Sequence, residues 1–216
     1  SYNSLAHRTT WLRSDLLDIK DLNKDFHKHT VLQHLSLHLE GNELIYIHGI
    51  NGSGKSTLFK LICDILKPTS GTIEKKKDLQ IGALIENPGF LENETLAYNL
   101  RFLASLNNHY DQQYIEELCQ QFHLDFHSRM KLKNFSVGMR QKAGIIQAIM
   151  EKQELILLDE PTRGLDQESI HIFCQIINQL HQQGHTIMIA AHDYLPDIHY
   201  THIYRLEGQL YLDEMD

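Results

Sequence analysis

Apolar and polar positions along the chain change their period several times, and each change marks an element. Strands are expected near Leu16 to Leu22 and near Val31 to Leu39, and "ELIYIHGI" (Glu43 to Ile50) is a third short, mostly apolar run. The next segment, "STLFKLICDIL", places Leu58, Phe59, Leu61, Ile62, Ile65 and Leu66 at helical spacing. "KPTSGTI" then turns the chain into a short strand, with "LQIGALIENPGF" following. Three amphipathic helical stretches come next, "TLAYNLRFLASL", "QYIEELCQQF" and "GMRQKAGIIQAIM". Strands return at "ELILLDE", "HTIMIAAHD" and "HIYRLEGQLYL", with a helix from Glu168 to Gln183 between the first two. The pattern is α/β alternation interrupted by a helical block, without internal repeats or low-complexity tracts.

A chain of 216 residues suits one α/β domain and can bury a substantial core. The first fourteen residues, "SYNSLAHRTTWLRS", lack periodicity, carry the only Trp and begin without Met, and are expected to be a processed or vector-derived leader. No apolar run approaches the length of a membrane span, so work at a membrane requires a separate subunit to cross it. The formal charge of −8 and the lack of a basic block beyond Lys75, Lys76 and Lys77 argue against nucleic acid as a partner. Cys63, Cys119 and Cys174 are widely spaced and read as reduced, buried thiols of a cytoplasmic protein. The 15 histidines include pairs four apart, His34/His38, His123/His127 and His181/His185, but no carboxylate or cysteine completes a ligand set. They read as solvated or packing residues, His192 excepted.

Candidate chemistry begins at "HGINGSGKSTLFK". Gly49, four residues, then Gly54, Lys55 and Ser56 match G-x-x-x-x-G-K-[ST] between a strand and a helix. Glycines allow a tight turn in which the amides of residues 50 to 57 surround an anion at the positive end of the helix. Lys55 would reach the β and γ phosphates of a nucleotide, Ser56 would offer its hydroxyl to Mg²⁺, and Thr57 would add a donor near the α phosphate. A second feature is "LILLDEPTRGLD", which ends an apolar strand in Asp159 and Glu160. A Mg²⁺ shared with Ser56 would pair Asp159, and Glu160 could hold the water that attacks the γ phosphate. Taken alone, the two acids could equally form a solvated turn.

"GINGSGKST", "NFSVGMRQK", "LILLDEPTRGLD" and "AAHD", in this order, resemble the ATP-binding subunit of an ABC transporter, from Leu16 to Leu212. The resemblance implies a P-loop cassette with a RecA-like core, an antiparallel β subdomain and an inserted helical subdomain of about residues 90–150, within one domain of residues 15–216. It implies ATP and Mg²⁺ as ligands. Gly49, Ile50, Asn51, Gly52, Ser53, Gly54, Lys55, Ser56 and Thr57 become the Walker A loop. Asp159 becomes the Walker B acid, Glu160 the catalytic base, Gly164 to Asp166 the D-loop, and His192 the switch histidine near the γ phosphate. Phe26 aligns with the aromatic residue that stacks on adenine and Val31 packs nearby, although a core role for Phe26 is a serious alternative.

Two departures from the family stand out. Its L-S-G-G-Q signature reads Phe135, Ser136, Val137, Gly138, Met139 here, keeping Ser136 and Gly138 for a γ phosphate held on a second cassette. Glu86 stands where the family typically has Gln, and is expected as a Mg²⁺-side ligand and coupling element, or else as a solvated loop acid. Both features resemble the branch that exports or confers resistance to bacitracin and lantibiotics. The implied partners are a transmembrane permease and a second ATP-binding subunit, identical or similar, with the chain cytoplasmic and peripheral on the inner face of the cell membrane. The alternatives are a soluble ABC ATPase serving assembly, and a regulatory subunit without hydrolysis, against which the intact Glu160 and His192 argue.

Overall fold

A computed structural model describes residues 15–50 and 53–213. The expected leader, together with Asn51 and Gly52 of the glycine loop, lies outside the described residues. The described residues open with an antiparallel hairpin, β1 (Leu17–Phe26) and β2 (His29–Leu39), followed by β3 (Leu44–His48) and α1 (Lys55–Ile62). β4 (Ser70–Lys75) and β5 (Ile81–Leu84) precede α2 (Leu96–Ser105), α3 (Gln112–Gln121) and α4 (Val137–Ile149). The rest is β6 (Leu155–Asp159), α5 (Gln167–Gln182), β7 (Thr186–Ala190) and the hairpin β8 (His202–Glu207) and β9 (Gln209–Asp213).

The described residues form two sheets, one of order β2-β1-β4 and one of order β5-β6-β7-β3-β8-β9. Every pairing from β5 to β8 in the larger sheet is parallel, and β9 joins antiparallel. β6 and β7 are buried at every position, as strands covered on both faces must be. Alternate residues serve different cores. Leu44, Tyr46, Ile156, Leu158, Ile187 and Ile189 face the core shared with α2–α5. Ile45, Ile47, Leu155, Leu157, Met188 and Ala190 face the core shared with α1 and the β1–β2 hairpin. A slip of one residue in any of these strands would exchange its two faces.

The structure departs from the sequence expectation in two places. β1 runs on to Phe26, four residues beyond Leu22, because it pairs with β2 up to a two-residue turn, with Phe26 opposite His29. α1 stops at Ile62, short of Leu66: Asp64 adopts a left-handed φ of 62°, and Ile65 is left exposed. In a parallel sheet the carboxyl ends of neighbouring strands share one edge, so the segments after β3, β6 and β7 meet there.

Candidate functional site

α1 begins at Gly54, whose φ of 104° is left-handed, and no side chain caps it. A Cβ at Gly54 would lie 2.7 Å from Leu32 Cδ2, so both dihedral and space require glycine. At Gly49 the reason is close approach alone: a Cβ would sit 2.7 Å from the Leu206 carbonyl oxygen. The first amides of α1 have no partner one turn earlier and remain available to an anion. Ser53 Oγ is buried with no hydrogen-bond partner among the described residues, and a buried hydroxyl of this kind calls for one.

The Lys55 side chain is buried, its Nζ donating to the Gly49 carbonyl at 3.0 Å and lying 3.6 Å from Glu160 Oε1. Ser56 Oγ donates to Asp159 Oδ2 at 2.7 Å, closing a gap of 103 residues in sequence. Burial raises the Asp159 carboxyl above the usual range, against the lowering effect of the Ser56 bond, and the Glu160 charge adds to the rise. Glu160 has a left-handed φ of 48°, unusual for this residue type. Its backbone N–H donates to the Ala190 carbonyl at 2.7 Å, and its Oε1 accepts from the His192 N–H at 3.0 Å.

These groups line a cavity of about 520 Å³. Phe26 and Val31 form one wall from the antiparallel sheet, with Ser53 to Thr57 at the loop and helix start, and Asp159 and Glu160 at the end of β6. Phe26 is 39% exposed at its hairpin tip, and Lys24 Nζ lies 5.1 Å from its ring centroid, so it is no core residue. Glu86 also lines the cavity, with a left-handed φ of 57°, and its Oε1 accepts from Lys60 Nζ at 2.6 Å. Lys60 is thus one counter-charge for this carboxylate.

Four lining residues escaped the sequence reading: His29, Asn87, Gln141 and Arg163. His29 was findable as the hairpin partner of Phe26, and Asn87 and Arg163 as neighbours of Glu86 and Glu160. Gln141 had no local signal. It reaches from α4 to donate to the Pro161 and Glu160 carbonyls at 2.8 and 3.2 Å.

Other expected site residues stay outside this cavity. Ile50 is 76% exposed. Ser136 Oγ accepts from the Met139 N–H at 3.1 Å and caps α4, while Val137 is 74% exposed beside it. Gly138 packs on the turn after β6, where a Cβ would lie 3.1 Å from the Gly164 oxygen. Asp166 caps α5 through the Ser169 N–H at 2.8 Å, and the Ser169 bonds hold its carboxyl below the usual range. His192 is exposed in the turn after β7.

The three cysteines are free thiols, with Cys119 and Cys174 buried and Cys63 half-buried; burial pushes them up to about 12, 11 and 11. Among the described residues, no group of three or more His, Cys, Asp or Glu could hold a metal, and no helix is long and apolar enough to cross a membrane.

The family model described as "ABC transporter" matches residues 32–163, well over half of the chain. The chain belongs to that family. It is 32% identical over 188 residues to the bacitracin transport ATP-binding protein BcrA of Enterococcus faecalis, across 82% of this chain and 61% of that protein. The lantibiotic transport ATP-binding protein SrtF of Streptococcus pyogenes is 31% identical over 184 residues, covering 82% and 80%. The chain therefore spans about three-fifths of BcrA and four-fifths of SrtF. A solved "ATP binding subunit of ABC transporter" superposes with a TM-score of 0.82 at 27% identity, covering 93% of this chain and 90% of that one. The fold is that of an ABC ATPase cassette.

Proposed function

We propose that this chain binds and hydrolyses ATP to power a membrane ABC transporter that exports antimicrobial peptides or confers immunity to them. The carrying observation is the bond between Ser56, at the start of α1, and Asp159, at the end of β6, with Lys55 and Glu160 beside it. In this reading Phe26 stacks on adenine with Val31 beside it, and the loop and α1 amides with Lys55 hold the phosphates. Ser53 finds its missing hydrogen-bond partner in a phosphate oxygen.

Ser56, Asp159 and Glu86 are the residues that would hold Mg²⁺. The fit is good for the first pair: two oxygens already 2.7 Å apart, one of them anionic, form a hard oxygen donor set. Glu86 fits only if its carboxylate is shared with, or released by, Lys60. When bound, the cation would supply positive charge that offsets the charge on the phosphates. Glu160 accepts a proton from water as its oxygen bonds to the γ phosphorus and the bond to the β-side bridging oxygen breaks, leaving ADP and inorganic phosphate. The His192 side chain would complete the γ-phosphate contacts only after the turn following β7 moves inward, since it lines no part of the cavity here.

Ser136, Gly138 and Asp166 would act across a dimer of cassettes, which accounts for their position outside the chain's own cavity. The second cassette is identical or similar, a separate permease crosses the membrane, and the chain works on its inner face. One domain of residues 15–216 carries the site, with residues about 90–150 as its helical part. Support for the peptide-antibiotic branch is the likeness to BcrA and SrtF together with Glu86 and the Ser136-Val137-Gly138-Met139 signature.

The test is Glu160→Gln. Hydrolysis should fall by about 10²-fold or more, nucleotide should remain bound, and light scattering should record an ATP-dependent doubling of mass. Wild-type turnover in this variant would reject the base role of Glu160.

A further inference from the structure

Tyr46 lies mid-strand in β3, is 4% exposed, and belongs to no motif. Its ring packs among Tyr194 and Tyr200, at centroid separations of 5.5 and 5.2 Å. Its hydroxyl donates to the Ala191 carbonyl oxygen at 3.2 Å, with the His192 carbonyl oxygen farther off at 3.5 Å. The Ala191 carbonyl and the His192 N–H are the two ends of one peptide unit, rigid and planar. The N–H end donates to Glu160 Oε1 at 3.0 Å. Tyr46, a single peptide plane and the Glu160 carboxylate thus form one continuous line of hydrogen bonds.

We propose that Tyr46 is a positioning residue for Glu160, acting through the Ala191–His192 peptide. The inference rests on the base role of Glu160 proposed above. A donor at the carbonyl end fixes the rotation of the peptide plane and strengthens its N–H as a donor, since hydrogen bonds in series polarise one another. The carboxylate is thereby held against rotation even though its own residue sits in left-handed backbone. Register supports the arrangement from below. β3 and β7 pair Tyr46 with Ile189, and the Ala191 N–H donates to the Ile47 carbonyl at 3.1 Å. The turn after β7 therefore leaves the sheet directly over the phenol. Burial, with the Glu160 charge adding to it, pushes the phenol up to about 12, which keeps it a donor at neutral pH.

The test is Tyr46→Phe, which keeps the ring and removes only the donor. Turnover should fall about three- to tenfold, the range for one lost hydrogen bond, with KM for ATP unchanged. Tyr200→Phe removes a hydroxyl from the same aromatic cluster without touching that peptide, and should leave turnover as in wild type. Independently of turnover, amide exchange of His192 should quicken several-fold in Tyr46→Phe and stay unchanged in Tyr200→Phe; this readout also decides the matter should Tyr46→Phe prove too unstable for kinetics at working temperature. In a Glu160→Gln background, adding Tyr46→Phe should cost no further activity. If Glu160→Gln is inactive while Tyr46→Phe keeps wild-type kcat and His192 exchange, the positioning role is overturned and the base role stands. If Glu160→Gln turns over normally, both fall.

Discussion

The N-termini of α1 and α4 both carry a serine from a nucleotide-associated motif, yet the fold treats them in opposite ways. α1 starts at an uncapped left-handed glycine inside a cavity, and its serine hydroxyl turns away from its own helix to a buried carboxylate. α4 starts at an exposed serine that caps its own helix, with a valine open to solvent beside it. The α1 end draws its neighbours from within one chain and has no side-chain cap on its first amides. The α4 end has its local needs met already, so any role toward a nucleotide must come from outside the chain and compete with the cap. One physical device, the positive end of a helix, thus serves as a built pocket in one place and as an outward-facing surface in the other.

The largest effect that sharpens this contrast should come from Lys55→Ala. It removes the ammonium that lies between the Gly49 carbonyl and Glu160, and calorimetry should find Mg·ATP binding weakened by tenfold or more, as for a lost charge-assisted contact. Thermal melting should find the domain still folded. Wild-type affinity would mean that the α1 end is no phosphate site.

Asp159→Asn separates stability from function at the same end. The native carboxyl is raised by burial, so the protein holds that proton more tightly folded than unfolded. Protonated Asp159 therefore contributes stability below the ordinary Asp range, about 3.9, and that contribution is lost as pH rises through the higher native value, where the buried charge becomes a cost. At neutral pH the ligand-free Asn variant should melt higher than wild type and hydrolyse ATP far more slowly. A lower melting temperature would show that the bond from Ser56 outweighs the burial penalty.

Ser136 probes the other helix end with a smaller effect. Ser136→Ala should destabilise by about 1 kcal/mol through loss of the cap, while Ser136→Asp keeps the cap and adds a charge. If α4 faces a phosphate of a second cassette, the Asp variant should keep its stability yet lose ATP-driven dimerisation and turnover. Equal turnover in Ser136→Asp and wild type would confine Ser136 to capping.

The smallest expected effect is at Glu86, an exposed group already paired with Lys60. Glu86→Ala should leave ATP affinity nearly unchanged while shifting the Mg²⁺ requirement for hydrolysis, and Glu86→Gln should be milder because a carbonyl oxygen remains. A Mg²⁺ titration of turnover identical in all three proteins would reduce Glu86 to a surface partner of Lys60.

Much of this was legible in the chain itself, because the signals are local. Apolar runs of five or six residues between turn signals located β3, β6 and β7, and spacing near 3.6 located α2 to α5. Glycine, lysine and serine at one spacing between a strand and a helix marked the phosphate loop, since backbone geometry there depends on neighbours in sequence. Element ends were less legible: β1 continued to Phe26 because a partner strand extended its ladder, and α1 ended at Ile62 through the left-handed turn at Asp64. What only the tertiary structure decided was which polar groups meet. Ser56 and Asp159 are 103 residues apart in sequence; strand order, which no local pattern encodes, brought them to hydrogen-bonding distance. Packing likewise placed Gln141 at the Glu160 carbonyl and Tyr46 beneath the Ala191–His192 peptide, whereas the caps by Ser136 and Asp166 are local contacts three residues apart. Sequence determined the chemistry available and the elements that carry it, because propensity and period are short-range. Packing determined the partners, because hydrogen bonds depend on distances that exist only once the sheet has assembled.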